Sequence, residues 1–163
     1  MDTEIILTAV AFLFIAMAVF GILGRGNRKQ EKHLLNMLKQ AAASRQSVIK
    51  DYDTWNDAAI GLDPATNNLF VVTMMNNQLS SVHIDLTQVK DCQVMRTNKT
   101  IVAANDTYPA VEKICLVFIP QEKQQPDTVI NFYVAGSDYQ PLNGELQLAK
   151  KWHGLVRNKI QTL

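Results

Sequence analysis

Apolar and polar residues alternate along this chain in three different rhythms. From Ile5 to Gly24, twenty residues pass without one ionisable side chain, and Thr8 carries the only hydroxyl. Through "NRKQEKHLLNMLKQAAASRQSVIKD" the apolar residues recur at helical spacing. Leu34, Leu38 and Ala41 share one stripe, and Leu35, Met37 and Ala42 widen it. After Asp51 the period drops to two, the spacing of strands with one face turned inward.

The first rhythm predicts a transmembrane helix over 5–24. At about 1.5 Å of rise per residue the run spans roughly 30 Å, the thickness of a bilayer core. Twelve of its residues are Leu, Ile, Phe or Val. Together these favour insertion by roughly 4–7 kcal/mol. A cleaved signal would need a basic start, a shorter core and a small-x-small cleavage site. Here the start is the acidic "MDTE" and the run is followed by "LGRGNRK".

The second rhythm predicts a basic helical neck over 25–50. Its stripe can pack on the following domain, lie on a membrane surface, or support weak self-association; packing on the domain is the preferred expectation.

The third rhythm predicts six strands. They lie in "AAIGLD", "LFVVTMM", "SSVHIDL", "VKDCQVMRT", "VEKICLVFIP" and "DTVINFYVAG", and "TIVAA" (Thr100 to Ala104) is a candidate seventh. Val82, Ile84 and Leu86 should face one way and His83 and Asp85 the other. Cys92 and Val94 are expected on opposite faces. "PATNN" supplies turn chemistry, with Asn67 or Asn68 suited to positive φ. A helix from Asn143 to about Gln161 closes the chain. Leu148, Ala149, Trp152, Leu155, Val156 and Ile160 form its stripe, and Trp152 is placed to plug a barrel. Short strands joined by turns imply an antiparallel sandwich or barrel. The expected class is thus α+β, mainly β.

Charge sharpens this picture because it is zoned. Residues 1–24 hold two acids and no Lys or Arg, for −2; residues 25–50 hold seven Lys/Arg against Glu31, for +6. Residues 51–163 hold nine against twelve, for −3, and the whole chain carries +1. So small a total gives no argument for nucleic acid. Arg25, Arg28, Lys29 and Lys32 follow the apolar run and no base precedes it, so the N-terminus is expected outside and the main domain in the cytoplasm. The same four side chains are the candidate contacts with anionic lipid headgroups at the membrane surface.

Candidate chemistry is sparse. Asp51, Asp53 and Asp57 lie close together, but the spacing lacks the glycine and terminal Glu of a calcium loop, and an acidic linker is expected. Trp55 should pack on the barrel. Cys92 and Cys115 lack zinc spacing and read as reduced core thiols. His33, His83 and His153 are isolated in sequence, and His83 is the one that could sit on a binding face. No phosphate loop, dinucleotide fingerprint or nucleophile elbow occurs. No catalytic residue, cofactor or metal site is expected.

Residues 55–161, and in particular "AAIGLDPATNNLFVVT", "SSVHIDLTQVKDCQV" and "LNGELQLAKKWHGLVRNKI", resemble the pleckstrin-homology-like fold. The pattern is similar to small bacterial membrane-tethered proteins of that type. The resemblance implies a barrel with a terminal helix, lodged at the inner membrane. The family's lipid-binding members carry clustered bases between their first two strands, whereas "DPATNNL" has none, so phosphoinositide recognition is not expected by that route. The leading functional expectation is a single-pass protein whose cytoplasmic domain is a non-catalytic binding or scaffold module with a protein partner. One alternative is an accessory subunit of a membrane complex, acting through its transmembrane helix. The other is a small-ligand enzyme using His83 and nearby carboxylates such as Asp85.

Overall fold

The computed structural model describes residues 29–75, 78–103, 106–136 and 142–163. The expected transmembrane helix, with Arg25 and Arg28 after it, lies outside the described residues. Among these, no helix is long and apolar enough to cross a membrane.

Helix α1 covers residues 29–43 among the described residues. Seven strands follow: β1 (Asp51–Trp55), β2 (Ala58–Asp63), β3 (Asn68–Met75), β4 (Gln78–Asp85), β5 (Val89–Ala103), β6 (Asp106–Pro120) and β7 (Thr128–Val134). A 3-10 turn, Leu86–Gln88, links β4 to β5, and α2 (Glu145–Gln161) ends the chain. The strands make two antiparallel sheets, in the orders β1-β2-β3-β4 and β5-β6-β7. The fold is therefore α+β and mainly β.

Strand β2 is buried along its whole length because it is covered on both faces. Ile60 and Leu62 turn inward to the main core, with Leu69 and Val71 of β3, Ile114, Leu116 and Phe118 of β6, and Phe132 of β7. Ala59, with Phe70 and Val72 of β3, turns outward and is covered by Leu34, Leu38 and Ala42 of α1. The neck stripe is therefore spent on the sheet, as the domain-packing expectation held; a self-associating neck would have to leave this face. The register sets Ala59 opposite Val72 and Gly61 opposite Phe70, so β2 offers a furrow of small residues beside a ridge of large ones.

Gly61 makes that furrow deep enough. A methyl group there would meet Leu38 Cδ2 and Ile49 Cγ2, each at 2.8 Å. Gly61→Ala is expected to lift α1 from the sheet and cost about 1–3 kcal/mol. A lowered urea midpoint and faster amide exchange in α1 would show it; an unchanged midpoint would refute the close packing.

The neck helix stops at residue 43, short of the expected Lys50. Gln46 takes φ 56. Its N–H donates to Ala43 O, while Ser47 N–H reaches back to Ala42 O at 3.0 Å. These two bonds close a helix C-terminus around a left-handed residue, with Gln where glycine is usual.

Three strand expectations need correction. The acidic linker is edge strand β1, paired with β2 from Asp51↔Leu62 to Trp55↔Ala58. The first inter-strand turn is consequently Asn56–Asp57, not "DPATNNL", and it too lacks a base. "TIVAA" is no separate strand: through Ala103 it continues β5, whose pairing with β6 is kept up through register shifts near Asp91 and Asn98. Cys92 and Val94 share the core-facing side, as residues two apart in a strand must. Asn67 is the residue of the β2–β3 turn that takes positive φ, at 60°.

Trp152 fills the core from α2 and is fully buried, flanked by Ala149 and Val156. In β7 the adjacent Phe132 and Tyr133 are both buried, because a bulge opposite Ile114 and Cys115 breaks the alternation there.

Candidate functional site

Strand β5 is an outer strand of its sheet, paired with β6 alone. Where its first half runs, the other side is flanked by α2. Between them lies an open groove of about 510 Å³. Asp91, Cys92, Gln93 and Val94 line it from the strand; Lys150, His153 and Arg157 line it from the helix. The helical three follow i, i+3, i+7 spacing, which puts them on one face. The edge strand adds main-chain donors and acceptors that no other strand among the described residues takes up.

The groove has a fixed electrostatic layout. Asp91 accepts from Gln93 Nε2 at 3.0 Å and from Cys92 N–H at 2.8 Å. The Gln93 bond, with the Cys92 bond and the charges of Arg157 and His153, holds its carboxyl below the usual value despite partial burial. Asp91 therefore stays ionised and partnered, while Lys150 and Arg157 point exposed side chains along the helix. Burial, with Asp91 alongside, pushes the Cys92 thiol up to about 12. At neutral pH it is an apolar floor and not a nucleophile.

Of the candidate lipid contacts, Lys29 and Lys32 are exposed in the first described turn of α1. Arg25 and Arg28 lie outside the described residues. Cys92 and Cys115 are buried free thiols in the strands, as expected of core cysteines. Asp51, Asp53 and Asp57 do not converge, and no cluster of three or more metal-ligating side chains occurs among the described residues.

Asp53 has a structural use instead. Its Oδ2 accepts from Trp152 Nε1 at 2.8 Å and from Lys151 Nζ at 2.6 Å, tying β1 to α2. Trp55 stacks on Phe132 with ring centroids 4.5 Å apart. His83 is half-buried: its Nε2 bonds Asn68 Oδ1 at 2.9 Å and its ring tilts against Phe70. Asp85 does not turn to it but caps the 3-10 turn, accepting from Thr87 N–H and Oγ1. Among the described residues the hydrogen bonds thus join His83 to Asn68 and not to a carboxylate.

The groove residues were visible in the sequence as types but not as a set. Lys150, His153 and Arg157 show their common face in the helical spacing. That β5 is the strand they face depends on sheet order, which the sequence pattern leaves open. No protein-family model, curated protein or solved structure matches the chain.

Proposed function

We propose that this chain is a single-pass membrane-anchored protein whose PH-like domain is a non-catalytic, cytoplasmic binding module. Its ligand is an extended segment of a partner protein bearing acidic side chains. The observation that carries this reading is the groove between β5 and α2 with its open strand edge. A peptide added there would hydrogen-bond to the strand, lay a small side chain on Cys92 and Val94, and set carboxylates against Lys150 and Arg157. The succession of four strands, three strands and a terminal helix supports the PH-like assignment, and the apolar run at 5–24 with the bases behind it supports the anchor.

A photo-crosslinking residue at Gln93 in the full-length, membrane-borne chain tests the groove. It should capture a protein partner, and Lys150→Glu with Arg157→Glu should reduce that capture at least tenfold, while a crosslinker at Tyr52 on the opposite sheet captures nothing. Equal capture from both positions, or capture indifferent to the charge reversal, would refute the groove as the binding site.

A further inference from the structure

The end of the domain at which the neck arrives has an unusual surface. Met75 at the tip of β3 and Val134 at the tip of β7 are 72% and 58% exposed. Both line a cleft of about 500 Å³ between the sheets, beside the Asn56–Asp57 turn. The same turn borders a second hollow shared with Gln30 and Glu31 of α1 and Asn143 before α2. Gln30 Nε2 donates to Asp57 Oδ1, fixing the first described turn of α1 at this end. Leu142, next to Asn143, and Leu79, opposite Met74, are exposed as well. Four large apolar side chains thus stand exposed at the end of the domain that holds the first described turn of α1.

We propose that this apolar rim is seated in the headgroup layer of the membrane that holds the anchor. The inference rests on the transmembrane reading of 5–24. It adds a defined orientation, in which the domain lies against the bilayer instead of swinging from a tether. Two independent features favour lipid as the occupant. Only residues 25–28 lie in sequence between the apolar run and the first described residue of α1, and α1 is packed on the sheet through Leu34, Leu38 and Ala42, so the chain available between lipid and domain is short. The exposed apolar side chains Met75, Val134, Leu79 and Leu142 stand around a polar hollow that includes Asp57 and Glu31, and Lys29 and Lys32 on the adjoining helix offset those two acids, a mixture of apolar and basic groups that suits the headgroup layer. Val48, at the exit of α1, and Val129, at the start of β7, are also exposed but lie at the opposite end of their elements; they should remain in water.

The test uses the full chain in vesicles of phosphatidylcholine and phosphatidylglycerol. Nitroxide labels are placed singly by Met75→Cys, Val134→Cys, Val48→Cys and Val129→Cys, all at exposed positions, while the native thiols are buried. The labels at 75 and 134 should show a several-fold higher ratio of collision with dissolved oxygen to collision with a water-soluble nickel chelate than those at 48 and 129. Four labels equally open to nickel on chains that still float with the vesicles would overturn the seat and leave the anchor standing. Chains that do not float would remove both. Shielding at 75 and 134 that persists in detergent and grows with protein concentration would assign the rim to a second copy and likewise overturn the proposal.

Discussion

Trp152→Ala should lower the unfolding free energy by about 3–5 kcal/mol, the usual cost of deleting a fully buried large aromatic side chain. For a domain of ordinary marginal stability, about 5–15 kcal/mol, that is a large fraction of the total. Two losses add. One is volume: Trp152 sits between Ala149 and Val156 within the main core. The other is the hydrogen bond from its indole N–H to Asp53 Oδ2, which fastens the terminal helix to edge strand β1.

The two losses can be separated. Trp152→Phe keeps most of the volume and gives up the bond. Asp53→Ala keeps the ring and leaves a buried donor unpaired, at about 1–3 kcal/mol. If the bond is the link between them, the double variant should cost less than the sum of the singles. Urea unfolding followed by far-UV circular dichroism reads all of these. A Trp152→Ala loss below about 1 kcal/mol would mean that the helix is not part of the core.

The value of Asp53 shows how the sequence was readable at one level and not at another. Trp152 as a plug follows from the helical stripe, because a run apolar on one face needs a surface to bury on. Asp53 could not be matched to it: 99 residues separate the partners, and "DYDTW" is too polar to announce a strand. Asp53 and Trp55 turn inward while Asp51 is exposed, and a charge facing inward reads as a linker until the indole that donates to it is known. Strands such as "LFVVTMM" were legible because hydrophobic periodicity is a local property.

The long β5 was hidden for the same physical reason. Its second half, from Asn98 onward, is polar enough to look like a loop followed by a fragment at "TIVAA". Pairing with β6 carries it as one strand, and pairing is not written in the local alternation. The neck stripe was readable, but its destination depended on Gly61 and Ala59, whose small size means little until a helix is seen lying over them. The binding groove was the least legible feature, since it arises only where an edge strand and a helix from different parts of the chain lie side by side.

Acid should weaken the domain in two separable steps, both set where the neck joins the four-stranded sheet. Asp63 is buried at the end of β2. It accepts from Val48 N–H at 2.8 Å, Thr66 Oγ1 at 2.8 Å and Ala65 N–H at 2.9 Å. Thr66 and Asn68 both reach Ser47 at 2.9 Å, and Asn68 passes the chain of bonds on to His83. Asp63→Ala would leave these donors without their acceptor and should cost on the order of 2–4 kcal/mol.

Burial raises the Asp63 pKa, but the bonds from Val48, Thr66 and Ala65 outweigh it and hold the carboxyl below its ordinary 3.8. The fold therefore favours the charged form. That stabilisation is complete above 3.8 and is lost as the pH falls from there through the native value. For His83, burial and then the Arg45 charge lower the pKa from 6.5 against the opposing pull of Asp85. The fold favours the neutral ring, so its contribution is complete above 6.5 and is lost as the pH falls through the lowered native value. Urea midpoints measured from neutral pH downward should show a first decline below 6.5 that His83→Gln removes, and a second below 3.8 that Asp63→Asn diminishes. A first decline that survives His83→Gln would place the proton elsewhere and break the link between His83 and the neck.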